Sequence, residues 1–284
     1  MPTTYAHYHF GELCIDVLPK DKRNTIYKYR DLYNLGVHGP DIFFYDLANP
    51  DIGKYGNIIH FESGRIFFNN SIEVINKYHD EVDAMLAYIL GFLTHFTFDS
   101  FAHGYVNTKK EISNVSHNTI EAEYDAYLIN KYENGVKKYD RSKTLKPSRF
   151  NAKIMSRFFI YDENVLYRTI RMQKLIIKAL YSKSTISRNV KKNILTRMNK
   201  LDYVDLLIPE SESEICKDSN LRLDKLKQKA LNAYSIIVKN YLNALDHKEE
   251  LNQYYDSIFD PQYDPNIPVL NYEEELKYIL ELTI

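Results

Sequence analysis

Tryptophan is absent from the 284 residues, cysteine occurs twice, and glycine and proline occur only nine times each. Two thiols as far apart as Cys14 and Cys216 cannot staple a small loop-rich scaffold, so a disulfide framework is excluded. Scarce glycine and proline leave long helices uninterrupted. No apolar run reaches the roughly 18–20 residues of a membrane span; the most apolar stretch, Ala84 to Leu93, ends at Thr94 and His95. The opening residues Met1 to Val17 hold Tyr, His and Glu where a secretion leader needs a cationic start and an apolar run. A cytoplasmic protein is therefore expected.

What is present describes a soluble globular chain: 44% hydrophobic, 26% charged, with 25 Tyr and 14 Phe. Its length suffices to bury a large core. The net charge of −1 hides an uneven distribution, because residues 137–200 hold 18 Lys/Arg against Asp140, Asp162 and Glu163. Arg168, Arg171, Lys174 and Lys178 fall there at helical spacing. Such a face suits an anionic membrane surface or, as the lesser reading, a nucleic-acid backbone. It could also be neutralised internally, since residues 244–284 carry ten acids against two lysines.

Periodicity and punctuation predict an all-α fold. Thr3-Thr4 caps a first helix with Ala6, Phe10, Leu13, Cys14 and Val17 on its apolar face and His7 beside it. A second helix spans about 22–35 and closes at Gly36. Residues 37–41 and 47–56 read as loops, and His60 stands near the start of a helix to about residue 78. A buried helix follows from Asp80 to about His103, then a loop over 107–114, then a helix from His117, capped by Ser116, to about Glu133. Beyond Gly135 come helices at about 150–160, 162–181 and 187–198, an irregular stretch over 201–219, a helix over about 221–255 and a short terminal helix. The expected organisation is a metal-binding catalytic core over 1–135 and a helical extension over 136–284, packed as one globular unit.

Within the most apolar helix, His95, Asp99 and His103 stand four apart, on one stripe with neighbouring Cβ atoms about 5–6 Å apart. A buried carboxylate between two imidazoles is costly unless something compensates it. His117 and Glu121 repeat the i, i+4 spacing on the next helix. With His7, His60 and Asp41, these make eight candidate donors, too many for one tetrahedral ion and suited to two or three divalent ions.

Several blocks then carry a resemblance: TTYAHYHFG at the start, GVHGPDIFFY, the His60 segment, HFTFDSFAHGYV, and SHNTIEAEYD. Over about residues 3–130, and in the same order, the chain resembles the zinc-dependent phospholipase C family, whose fold is shared with single-strand-specific nucleases. It looks most like the bacterial members that carry no secretion signal. The resemblance implies a multi-helical fold of that type and a di- or tri-zinc centre. His60, His95 and Asp99 would hold one zinc with Asp41 close by; His103, His117 and Glu121 a second; His7 and Asp99 a third, with Asp99 bridging. An N-terminal Trp serves the third ion in that family, and this chain has none. The secreted enzymes also have a longer gap than the four residues from Asp99 to His103.

The expected reaction is hydrolysis of a phosphodiester: the glycerol-side phosphoester of a phospholipid, or a related soluble phosphodiester. Asp41 and Glu121 are the candidates for orienting the attacking water, and the resemblance favours Asp41. A nuclease or nucleotidase on the same metals is the alternative enzyme, and aromatic platforms beside the cluster would favour it. The third reading is a metal-binding protein without turnover, in which every ion would be coordinatively closed. His38 reads as a turn histidine.

Overall fold

A computed structural model describes residues 4–281. In chain order the α-helices are α1 (Tyr5–Asp16), α2 (Lys20–Lys28), α3 (Arg30–Val37), α4 (Pro50–Phe61), α5 (Gly64–Lys77), α6 (Val82–Ser113), α7 (His117–Tyr132), α8 (Arg149–Ser156), α9 (Glu163–Leu180), α10 (Thr185–Arg197), α11 (Leu201–Asp205), α12 (Lys217–Leu245) and α13 (Tyr272–Glu281). No strand occurs among the described residues; the nearest approach is an isolated bridge between Ser63 and Ile258. The fold is all-α, as expected.

Helix α6 is the axis. It is long and apolar enough to cross a membrane, yet 89% of its most apolar window is buried inside the protein. Such a helix is apolar on all sides because protein, not water, surrounds it. It runs ten residues beyond the expected end at His103, through the stretch read as a loop. Lys109 holds that extension by a buried ion pair with Asp218 and a hydrogen bond to Ile215 O. Asn114, at φ 55°, stops it.

Other expectations change as well. The helix drawn over 22–35 is broken at Tyr29, and Gly36 lies inside α3 rather than capping it. There it faces Gly91 of α6: a Cβ on Gly36 would fall 2.1 Å from Tyr88 O, and one on Gly91 would fall 2.2 Å from Tyr33 O. The two helices thus cross backbone to backbone. Asn49 and Pro50, read as a loop, start α4, with Asn49 Oδ1 accepting from Asp51 N and Pro50 in the first turn. His60 consequently ends α4 instead of opening a helix to residue 78. The Gly-Pro segment is a 3-10 turn over Gly39–Tyr45. On α12 Ile236 is 53% exposed, while Tyr234, Ile237 and Val238 are buried.

The N-terminus of α1 is capped from a distance. The Thr4 side chain makes no cap bond, and Thr3 lies outside the described residues. Asp125 of α7 instead accepts from the backbone N–H groups of Thr4, Tyr5 and Ala6 at 2.8–3.2 Å and pairs with Arg141 at 3.0 Å. His7 is thereby set at a fixed height against α6. One continuous apolar core takes residues from α1 through to Phe259. In it Phe68, Phe92 and Phe96 meet Tyr241, Tyr255 and Phe259 edge-on or stacked.

Among the described residues the acidic C-terminal segment does not neutralise the basic stretch. Asp256 pairs with Arg65, and Glu275 with Arg222. The basic stretch finds other partners: Arg168 with Asp46, Arg157 with Glu81, Arg141 with Asp125 and Lys137 with Glu210. Of the four helical cations expected to share a face, Arg168 is so engaged, and Lys174 donates to Leu145 O.

Candidate metal centre

Five elements bring all eight candidate donors together. α1 supplies His7, the 3-10 turn Asp41, α4 His60, α6 His95, Asp99 and His103, and α7 His117 and Glu121. Seven of the eight are buried, and His117 is nearly so. They form three groups: Asp41, His60 and His95; His7, His95 and Asp99; and His103, His117 and Glu121. This differs in allocation from the set implied by resemblance. Asp41 stands with His60 and His95, and His95 belongs to two groups at once.

Asp99 sits between the groups. Its Oδ1 is 3.1 Å from His7 Nε2 and 3.5 Å from His103 Nε2, while its Oδ2 is 2.9 Å from His95 Nε2. Asp41 Oδ1 is 3.0 Å from His60 Nε2, and Oδ2 is 3.8 Å from His95 Nε2. Glu121 Oε1 lies 3.2 Å from His103 Nε2 and 3.1 Å from His117 Nε2. Donors about 2.0–2.2 Å from a tetrahedral ion are spaced about 3.3–3.6 Å from one another. The observed separations bracket that edge length.

The imidazoles are turned so that Nε2 faces inward, and for His60, His95 and His117 the cause is found behind the ring. His60 Nδ1 donates to Gly56 O at 2.7 Å and His95 Nδ1 to Val37 O at 3.1 Å. His117 Nδ1 donates to Asn107 Oδ1 at 3.0 Å. A neutral ring whose Nδ1 carries the proton presents a bare lone pair at Nε2. That lone pair then points at a carboxylate oxygen, and the pair repel unless a cation lies between them. His95 Nε2, Asp99 Oδ2, His117 Nε2 and Glu121 Oε2 are buried without a hydrogen-bond partner. An all-nitrogen-and-oxygen donor set with these orphaned atoms fits zinc.

Electrostatics says the same. Burial alone would push Asp99 up, but His103, His95 and His7 outweigh it and hold the carboxyl well below the ordinary carboxylate range. Asp41 is held down against burial by His95 and His60, and Glu121 by His117 and His103. His7 and His103 are raised: burial opposes this, and the charge of Asp99 prevails in both. With no metal, protons would do the neutralising.

Two contributors were not evident from the sequence. Asp260 Oδ1 lies 3.1 Å from His103 Nδ1 and accepts from Asn107 Nδ2 at 2.7 Å. Asn107 in turn holds His117, so hydrogen bonds run from Asp260 through Asn107 to one imidazole of the third group while the Asp260 charge faces the other. Asp260 is pinned by its own N–H to His60 O at 3.1 Å. Asn107 fell in the stretch read as a loop, and Asp260 in the extension; no local spacing flags either. His38, read as a turn residue, is instead 1% exposed with neither ring nitrogen partnered. Burial and then the neighbouring His7 push it down to about 3, so it stays neutral.

The groups open on a cavity of about 70 Å³ that Phe44 and Asn57 line together with His7, Asp41 and Glu121. His95 Nε2 has one lone pair and can serve only one of the two groups that include it; His103, His117 and Glu121 offer three donors of their own, which leaves a tetrahedral ion a fourth position for water or substrate.

Against known proteins, the model of the family described as zinc dependent phospholipase C matches residues 6–203. No curated protein and no solved structure matches the chain. Asp260 lies outside the matched residues.

Proposed function

The chain belongs to the zinc-dependent phospholipase C family, and on that premise we propose that it is a zinc-dependent phosphodiesterase. Its substrate would be the glycerol-side phosphoester of a phospholipid or a related soluble phosphodiester. The observation that carries the reading is the convergence of three three-donor groups on Asp99 beside an accessible cavity. Zinc bound there supplies a Lewis acid for a phosphoryl oxygen and a lowered pKa for bound water.

The chain's own residues divide the remaining work. Asp41 orients the attacking water: it is ionised at neutral pH, since His95 and His60 outweigh the effect of burial, and it borders the cavity. Glu121 is a ligand, because Oε1 is already shared by two inward-facing imidazoles. Asn107 keeps His117 in the tautomer that presents Nε2, and Asp260 places its charge behind His103. Read as a cytoplasmic protein, the enzyme would meet lipid at the inner leaflet.

One observation favours the nuclease alternative. Phe44 stands beside His60, ring centroids 5.2 Å apart, and lines the cavity as a single platform on which a base could stack. The test is zinc analysis of the purified protein with assays on a chromogenic phosphodiester, short-chain phosphatidylcholine and single-stranded DNA. Hydrolysis of the first two with zinc bound is expected. Cleavage of DNA alone transfers the reading to the nuclease. Bound zinc with no turnover of any substrate leaves a metal-binding protein without a reaction.

A further inference from the structure

Helix α10 buries none of its residues. Ile186 is 77% exposed, and Val190 and Ile194 are each 51% exposed. Met198, also exposed, prolongs the row at the C-terminal cap of the helix. Steps of four along a helix drift by only about 40°, so these side chains form one aliphatic stripe. The opposite edge fastens the helix to the protein. Arg188 donates to Ile208 O and Leu207 O, Lys191 donates to Tyr181 O, and Leu195 packs on Leu180, Leu206 and Leu207. The orientation of α10 is therefore fixed, and the stripe faces outward.

Cations stand near both ends of the stripe. Lys183, Arg197 and Lys200 are exposed and take part in no ion pair among the described residues. No Asp or Glu occurs between Glu163 and Asp202. Aliphatic residues flanked by unpaired cations complement an anionic bilayer, whose headgroups attract the charge and whose acyl boundary takes the stripe. A nucleic acid would find no aromatic side chain on this face for its bases. A second copy would bring the same acid-free helix against itself, cation to cation.

We infer that the outer face of α10 is a docking surface for anionic lipid. The helix is also placed to matter to the metal centre. Lys192 and Arg188 share a groove with Thr119 and Glu123 of α7, and Ser116, the cap of α7, donates to Asp205 of α11 at 2.7 Å. Helix α7 carries His117 and Glu121. The inference goes beyond the proposed reaction and rests on the surface of α10 alone, so its test reads binding and not turnover.

The experiment is co-sedimentation of the zinc-loaded full chain with vesicles of phosphatidylcholine, with and without phosphatidylserine, at low and high salt. Three proteins are compared: the wild type, an Ile186→Asp/Ile194→Asp variant, and an Arg197→Glu/Lys200→Glu variant. These positions are exposed, and circular dichroism checks that the helix content is kept. The wild type should prefer anionic vesicles by about tenfold or more and lose that preference as salt rises. The aliphatic variant should lose binding to both vesicles, and the charge variant the preference between them. Equal partition of all three proteins overturns the inference. So does binding of single-stranded DNA in place of vesicles, or a dimer in sedimentation velocity that the Ile186→Asp/Ile194→Asp change abolishes.

Discussion

Asp260 Oδ1 stands 3.1 Å from His103 Nδ1, on the side of the ring opposite Glu121 and Asp99. A carboxylate at that position raises the basicity of the imidazole and directs Nε2 toward the metal. Asp260→Asn removes the charge while keeping the shape, and should weaken zinc binding about 10–100-fold with the fold retained. Competition against a chromogenic chelator measures it. An affinity equal to the wild type's would show that Asp260 does not position His103.

His95 is common to two groups, facing both Asp41 and Asp99. The single Nε2 lone pair can serve one ion, so His95→Ala and His117→Ala should each lower zinc content by about one equivalent, at different groups. The ring is fully buried, so the first change also opens a cavity and should cost about 2–5 kcal/mol in denaturant unfolding. Elemental analysis of both variants checks this; full zinc content in either would contradict the ligand assignment.

Gly39 has φ 51°, and a Cβ there would fall 2.2 Å from His95 Cδ2. Gly39→Ala faces both the left-handed backbone and the ring, and the strain should cost about 1–3 kcal/mol. The ring can yield only by leaving Val37 O. Loss of zinc in parallel with loss of stability is the expected result; full zinc content with a wild-type Tm would refute it.

Zinc-free protein should show a characteristic pH dependence. His7 and His103, raised above the ordinary 6.5, stabilise the fold fully below that pH and lose the contribution as pH rises through their folded values. Asp41 and Asp99, lowered from 3.8, stabilise above it and lose the contribution as pH falls through their folded values. The chelated protein should thus be most stable between about pH 4 and 6.5. Zinc needs the imidazoles bare, so its binding releases protons and tightens with pH. Between about pH 6 and 9 the zinc-free Tm should fall and the gap to the zinc-loaded Tm should widen. A constant gap would rule out protonated imidazoles in the zinc-free site.

The helices were legible where the cue was local. The run from Ala84 reads as a buried helix because every face is apolar, and Ser116 reads as a cap because its hydroxyl accepts from Thr119 N at 3.1 Å. The misreadings fall where a distant partner overrode the local cue. Gly36 resembles a helix end, yet it serves a backbone crossing with Gly91. Residues 107–113 are polar enough to read as a loop, yet Asp218 buries Lys109 and keeps them helical.

The same division holds for the site. Spacing alone determined that His95, Asp99 and His103 share one stripe, and that His117 and Glu121 share another, because i, i+4 neighbours meet on any helix. Only the tertiary structure decided which nitrogen of His60, His95 and His117 faces inward, because the carbonyls of Gly56 and Val37 and the side chain of Asn107 settle it from behind the rings. It also brought Asp260 to His103 across more than 150 residues. A hydrogen bond is directional and short, and nothing in the order of residues along a chain records where its far partner will lie.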